Sequence, residues 1–354
     1  AGFMQPSNEL PNSICIVRLS AIGDVCHAVA TVQAIQKHHQ RARITWIIGR
    51  TEHDLVSDLP DIEFIVFDKR RGLKAYFDLC SQAKNRPPFD VLLQMQTSFR
   101  GNLAGALLRA RRRIGFPISR AREFHRAFVS EHLPETKAFH VLEGFAEFAH
   151  AIGVPAFEPE WDIPLPDSAI EHVSGWIGQD SDYVLMSPCA SNPERNWLAD
   201  RYASIIQHCQ KRGLEVVLTA SGASKEVKFI EQIVNLVEKP VINLAGKTSL
   251  KDLLALCRCA RLVMGPDSGT LHMATTQGTA VIGLYAHSDP RRTGPYRHLH
   301  RVADAYTPSL QALSKSSGGV KWGHRLKGSD LMRQIEIKEV AGLIDAALGD
   351  LENA

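Results

Sequence analysis

The chain has 354 residues, 44% of them hydrophobic and 22% charged, with a formal net charge of +3. That length suits two domains rather than one, and the composition is that of an ordinary globular protein, which excludes a disordered or fibrous chain. The net charge argues neither for nor against nucleic acid as a partner.

Residues 1–13, AGFMQPSNELPNS, have no basic lead and no apolar stretch of signal-peptide length, so a disordered lead-in is expected there. From residue 14 short apolar runs alternate with amphipathic ones. ICIVRL (14–19) leads to a helical stretch at 25–37, ITWIIG (44–49) to EHDLVSDL, EFIVFD (63–68) to LKAYFDLCSQA, and VLLQMQ (91–96) to GNLAGALLRA. Such alternation specifies a parallel sheet covered by helices on both faces. GVPAFEPEWDIPLPDS (153–168), with four prolines, breaks the pattern and reads as a linker between domains.

The pattern then restarts. YVLMSP (183–188), EVVLTAS (215–221), VINLAG (241–246), RLVMGPD (261–267) and AVIGLY (280–285) are strand candidates, with helices between them. They read as continuous apolar runs, as expected when both faces are covered. IKEVAGLIDAAL (337–348) is a final amphipathic helix. The fold class is therefore α/β, with two doubly wound αβα domains expected to face each other across a cleft. The expected division is a first domain over 14–160, a second over 161–334, and a terminal helix over 335–354 that returns to the first. No apolar run reaches the roughly 18 residues of a membrane span. The seven cysteines are scattered and mostly within apolar segments, so buried reduced thiols and a cytoplasmic location are expected.

Ligands of such sheets bind at the carboxyl ends of the strands, and three junctions there carry chemistry. RLSAIGDVCHAVA (18–30) puts Asp24 where a strand turns into a helix. It is either a helix cap or a catalytic base; the absence of G-x-G-x-x-G weakens hydride transfer. SPCASNPERNWLADRY (187–202) offers Ser191, Asn192 and Arg195, whose guanidinium can neutralise a diphosphate. GPDSGTLHMATTQG (265–278) places Asp267, Ser268, Gly269, Thr270 and His272 at a helix start, a ready anion site. Each of the last two is ambiguous alone, since a surface arginine or a simple cap would look the same.

Together, RLSAIGDVCHAV, SPCASNPERNW, TASGASKE and MGPDSGTLHMATTQGTAVIGLYAHSDP resemble the ADP-heptose:lipopolysaccharide heptosyltransferase family, glycosyltransferase family 9, over roughly residues 14–350. The first motif is similar to the heptosyltransferase I branch. The resemblance implies a GT-B fold and inverting transfer of L-glycero-D-manno-heptose from ADP-heptose to the Kdo of the lipopolysaccharide inner core. It implies Asp24 as general base, with Ser20 and Gly23 shaping the turn that aims it and counted with the donor contacts. Arg195 stands where the family usually has a lysine on the diphosphate. Glu226 and Asp267 match acidic residues near the nucleotide and the heptose, and Ser191, Asn192, Ser268, Gly269, Thr270 and His272 complete the donor set. No metal cofactor is expected: Asp180-Ser181-Asp182 is a D-x-D, but it falls before the strand YVLMSP, on the wrong edge of the sheet.

Residues 100–126 hold eight arginines against one acid, Glu123. Sparse aromatics argue against nucleic acid. Kdo carboxylates, lipid A phosphates and the anionic inner membrane suit an arginine rim, with Arg18, Arg100, Arg120 and Arg122 as candidate acceptor contacts. The expected location is the cytoplasmic face of that membrane. Two alternatives remain: a related GT-B enzyme with another nucleotide sugar, and a non-catalytic nucleotide-sugar-binding protein.

Overall fold

The computed structural model describes residues 10–178, 181–314 and 322–353. The expected lead-in lies outside the described residues up to residue 9, and Ser13 already belongs to the first strand. The chain divides into two compact units. One runs to Trp161 without residues 139–141; the other takes 139–141 and continues from Asp162.

The first unit runs β1 (Ser13–Val17), α1 (Ile22–His38), β2 (Arg43–Gly49), α2 (Arg50–Val56), β3 (Ile62–Phe67), α3 (Leu73–Ala83), β4 (Phe89–Gln94), α4 (Phe99–Ala106), β5 (Ala110–Gly115), α5 (His125–Phe128), β6 (Glu131–His132) and α6 (Val141–Ala151). Its strands form one six-stranded sheet in the order β3-β2-β1-β4-β5-β6, with every pairing parallel. One side is packed by Cys15, Val17, Ile47, Phe67, Leu79 and Leu92 among others.

The second unit runs α7 (Asp167–Ile177), β7 (Tyr183–Met186), α8 (Ala199–Lys211), β8 (Glu215–Leu218), α9 (Ser224–Leu236), β9 (Ile242–Asn243), α10 (Leu250–Cys259), β10 (Leu262–Pro266), α11 (Gly269–Thr276), β11 (Ala280–Tyr285), α12 (Pro290–Thr293), β12 (Val302–Asp304), α13 (Tyr306–Ser314) and α14 (Ile337–Glu352). Its six-stranded parallel sheet has the order β12-β11-β10-β7-β8-β9. In each sheet the strand order reverses next to the first strand, between β1 and β4 and again between β7 and β10. Those switch points are where open α/β sheets bind ligands. All residues of β7, β10 and β11 are buried, as the continuous apolar runs foretold.

Two expectations are corrected. The last helix, expected to return to the first unit, is part of the second: Val340, Ile344, Ala347 and Leu348 of α14 lie in its core, and Trp197 Nε1 donates to Ile335 O at 3.0 Å. The amphipathic stripe announced burial without saying against what. The arginine run, in turn, is not simply a basic face: Ala110–Gly115 is strand β5. All seven cysteines are free thiols. Among the described residues no helix is long and apolar enough to cross a membrane.

Candidate active site

The β1 carboxyl end feeds straight into α1. Ala21 caps the helix without a side-chain hydrogen bond, and Asp24 sits in its first turn. Asp24 is therefore not the cap. Its Oδ2 instead receives a hydrogen bond from Arg18 Nη2, while Arg18 Nη1 donates to Met95 O at 2.8 Å and the guanidinium lies 5.2 Å from the Phe145 ring centroid. With three supports the arginine is fixed, and it fixes the carboxylate, which keeps about a third of its side chain exposed. Gln96, just past β4, ties the same turn: its Oε1 accepts from Leu19 N at 2.7 Å and from Ser20 N at 3.4 Å. Gly23 follows in the helix. Arg18, expected as an acceptor contact, is thus engaged with Asp24.

Beside this turn a pocket opens at the carboxyl ends of β1 to β4, lined by Ser20, Glu52, Asp68, Lys69, Arg70 and Arg100 among others. Burial pushes the Glu52 carboxyl above its ordinary value. Of these residues only Ser20 and Arg100 were singled out from sequence, because the others stand in turns with no recognisable motif. Arg120, half-buried, donates to Ala138 O. Arg122 lies between the short turn Ile118–Arg120 and α5. Arg111–Arg113 go elsewhere: Arg111 approaches Asp90 at 3.7 Å, Arg112 forms a two-point pair with Glu131 at 2.8 and 2.9 Å, and Arg113 donates to Gly105 O at 2.7 Å and to Leu108 O.

In the second unit the residues after β7 and β10 meet. Asp267 follows β10, and Ser268 is the N-cap position of α11. Thr270 Oγ1 lies 3.1 Å from Ser187 Oγ, which follows β7. Gly265 is required for this approach, because a Cβ there would come within 2.5 Å of Ser187 O. His272 Nε2 is 3.8 Å from Asp267 Oδ1. Burial alone would raise the Asp267 pKa, yet the neighbouring His272, Ser288 and Arg195 hold it below the ordinary carboxylate value. Tyr285 OH donates to Thr293 O at 2.9 Å and lies 3.4 Å from Asp267 Oδ1. The Ser268 hydroxyl oxygen is buried and has no hydrogen-bond partner among the described residues, so it is available to a ligand at the helix start.

Arg195 enters from a short turn, Pro193–Arg195, capped by Asn192, whose Oδ1 accepts from Glu194 N at 3.1 Å. Asn196 Oδ1 accepts from Ala190 N at 2.7 Å, which closes the loop. Ser191 is exposed on it. Burial lowers the Arg195 pKa, and the nearby charge of Arg325 lowers it further, against the pull of Asp267. Arg325 was not singled out from sequence. Its segment is fastened to the loop after β11 by an antiparallel bridge to Ser288 and by Leu326 N donating to His287 O at 2.9 Å. Neither guanidinium is ion-paired among the described residues. Glu226, in the first turn of α9, accepts from Ser221 N and Oγ at 2.8 and 2.7 Å. It therefore shapes the turn after β8.

Asp180 of the D-x-D lies outside the described residues, and Asp182 immediately precedes β7. Among the described residues no group of three or more His, Cys, Asp or Glu side chains is arranged to hold a metal ion.

The sequence profile described as glycosyltransferase family 9 (heptosyltransferase) matches residues 81–318. The lipopolysaccharide core heptosyltransferase OpsX of Haemophilus influenzae is 41% identical over 335 residues, covering 94% of this chain and 96% of that protein. The chain belongs to glycosyltransferase family 9. As a member of that family it is a glycosyltransferase, a heptosyltransferase of the lipopolysaccharide core. Its fold matches other family 9 structures. The E. coli ADP-heptose lps heptosyltransferase II superposes with a TM-score of 0.73 at 19% identity, covering 96% of this chain and 99% of that one. E. coli heptosyltransferase WaaC with ADP gives 0.70 at 18% identity, covering 95% and 99%. The GT-B fold that the family resemblance implied is thereby met.

Proposed function

We propose that the enzyme transfers L-glycero-D-manno-heptose from ADP-heptose, with inversion, to the Kdo of the lipopolysaccharide inner core, without a metal ion. The acceptor hydroxyl oxygen attacks the anomeric carbon and Asp24 takes its proton. The bond to the diphosphate breaks, and ADP departs with the electron pair.

The observation that carries this assignment is the convergence of Arg195, Asp267, Thr270 and the α11 start at the switch point of the second sheet. A helix amino terminus and guanidinium groups suit a diphosphate. That the WaaC structure contains ADP supports the nucleotide. Arg195 and Arg325 are assigned to the diphosphate, and Ser268, Gly269 and Thr270 offer amide and hydroxyl donors to it. Asp267, held ionised, suits sugar hydroxyls, with His272 and Tyr285 setting its orientation. Asn192 and Glu226 shape the donor loops, and Ser191 lies on one of them. Ser20 and Gly23 set the turn that presents Asp24.

On the acceptor side, Lys69, Arg70, Arg100 and Arg122 offer cations to Kdo carboxylates and lipid A phosphates. Arg120 is assigned to holding their segment. The acceptor's lipid anchor places the enzyme on the cytoplasmic face of the inner membrane as a peripheral protein. A thermal-shift screen of ADP-, UDP- and GDP-heptose, followed by product analysis with a Kdo-lipid A acceptor, tests the assignment. A ligand at 100 times its dissociation constant adds about 2.7 kcal/mol. Stabilisation by UDP- or GDP-sugars alone overturns the donor; binding without turnover overturns the transferase role of Asp24.

A further inference from the structure

Five large apolar side chains of the first unit face solvent within one stretch of chain. Leu73 is 77% exposed, Phe77 72% and Phe124 78%, and Phe99 and Ile118 are about half exposed. The topology brings them to one place. Leu73 opens α3 just after β3, Phe99 opens α4 after β4, and Ile118 and Phe124 stand between β5 and α5. All three junctions follow the carboxyl ends of parallel strands, so they share one edge of the sheet. Phe77 lies one turn beyond Leu73 on the same helix face. Contacts join the pieces: the Arg100 guanidinium of α4 acts on the Tyr76 hydroxyl of α3, Phe99 N donates to Glu123 Oε2, and the Phe99 and Phe128 rings meet at 6.1 Å.

Phe124 is held outward by its backbone. It and Glu123 both have positive φ, 63° and 48°, a conformation that costs non-glycine residues about 1–2 kcal/mol each. Local bonds offset that cost. Asn102 Nδ2 donates to Glu123 O at 3.2 Å, and the buried His125 ring lies 2.7 Å from Asn102 Oδ1 and accepts from Phe116 N at 3.0 Å.

The charge around these side chains is predominantly positive. Residues 68–78, 99–100 and 118–128 hold eight lysines and arginines against three acids. All three acids are engaged: Asp68 with Arg70 at 3.0 Å, Asp78 with Arg71, and Glu123 with the Phe99 amide. Lys69, Arg70 and Arg100 also line the acceptor pocket. Bulky aliphatic and aromatic side chains set among cations suit an anionic lipid surface, with the rings and Leu73 in the acyl boundary and the cations at headgroup level. A nucleic acid would use the cations but not Leu73 and Ile118, and an acidic protein would leave most of the exposed apolar surface without a match.

We infer that Leu73, Phe77, Phe99 and Phe124 insert into the anionic bilayer, so that the first unit docks on the membrane by its catalytic edge and takes its acceptor from the lipid plane. The inference rests on the lipid-linked acceptor proposed above, and adds insertion to electrostatic attraction. A protein held by charge alone leaves the bilayer when salt shortens the Debye length to roughly 3 Å at 1 M. Inserted side chains retain part of the binding.

The test is co-sedimentation of the full chain with vesicles of phosphatidylcholine alone or mixed with phosphatidylglycerol. The triple variant Leu73→Ser/Phe77→Ser/Phe124→Ser should bind the mixed vesicles at least about tenfold more weakly, with thermal midpoint and ADP binding kept. Because that variant alters three sites, Phe124→Trp serves as a second measurement. Its indole emission should shift to the blue on mixed vesicles and be quenched by lipids brominated on the acyl chain. Wild-type protein that binds neither vesicle overturns both the membrane reading and the insertion. Wild-type binding that the triple variant keeps, or no blue shift in the Phe124→Trp variant, overturns insertion and leaves adhesion by charge. Loss of self-association in sedimentation velocity, with vesicle binding unchanged, would mean that a second copy covers the patch and overturns it equally.

Discussion

Arg18 and Asp24 form an ion pair across the turn that joins β1 to α1, with Arg18 also bound to Met95 O and packed on Phe145. The pair uses one carboxylate oxygen of Asp24. A base needs the other. Asp24→Asn should keep ADP binding and lower kcat by about 100-fold or more, the usual scale for loss of a general base. Arg18→Ala should lower kcat less, because it frees the carboxylate to rotate rather than removing it. Single-turnover rates with both variants check this; near-normal turnover in Asp24→Asn returns that residue to a structural role.

The donor assignment separates phosphate from base. Arg195→Ala and Arg325→Ala should each weaken ADP about tenfold or more and leave adenosine nearly unchanged, since the lost contact is charge-assisted. Lysine at either position should restore part of the affinity. Calorimetric titration of both ligands measures the split. Equal losses for ADP and adenosine would remove these arginines from the diphosphate.

Metal independence follows if guanidinium groups and the α11 amino terminus neutralise the departing diphosphate. Activity should survive EDTA. Abolition by EDTA, with recovery on adding magnesium, would refute it.

Acid should loosen the segment that carries Arg120 and Arg122. Burial lowers His125 to about 4, with His132 adding to the effect, so the native state holds the ring neutral while the unfolded ring titrates near 6.5. The stabilising contribution is complete above pH 6.5 and is lost as pH falls towards 4. It amounts to about 3 kcal/mol at most, because one pKa unit is 1.36 kcal/mol. His125→Gln should lower stability at pH 7 and flatten the slope between pH 6.5 and 4, as followed by urea unfolding. An unchanged slope would mean that the ring is not buried neutral.

Arg112 and Arg113 should report on stability rather than on acceptor or membrane. Arg112→Ser removes an exposed pair with Glu131, worth about 0.2–1 kcal/mol. Arg113→Ser takes the guanidinium donor from Leu108 O and leaves Gly105 O with its bond from Leu108 N, costing about 1–3 kcal/mol. The acceptor KM and vesicle binding should hardly move in either variant. A raised acceptor KM with an unchanged thermal midpoint would put the arginine run back at the site.

Why was the arginine run legible as charge but not as a strand? Arg111, Arg112 and Arg113 show no apolar alternation, and only Ile114 and Gly115 of β5 are buried. Pairing with β4 makes the strand. The junctions carrying Asp24, Asp267 and Thr270 were legible because strand, turn and helix follow one another directly in sequence. Tyr285 and Thr293 were not, because they reach Asp267 from 18 and 26 residues away. Arg325 comes from further still, on a segment with no periodicity of its own. The contact division falls between Trp161 and Asp162, inside the proline-rich stretch 153–168. The basic pocket beside Ser20 was hidden for the same reason as Arg325: its residues come from separate turns.

The place of α14 has a bearing on synthesis. The first unit is complete, apart from 139–141, once Trp161 has emerged, whereas the core of the second waits for Val340 to Leu348. At about 5–20 residues per second, translation separates those two events by on the order of 10–40 s. For that interval the face of the second unit that α14 will cover, and the indole of Trp197 that bonds Ile335 O, are without their partner. A nascent second unit therefore exposes that apolar face to other chains for the interval, while the first unit, which holds the Arg18–Asp24 pair, has ample time to fold ahead of it.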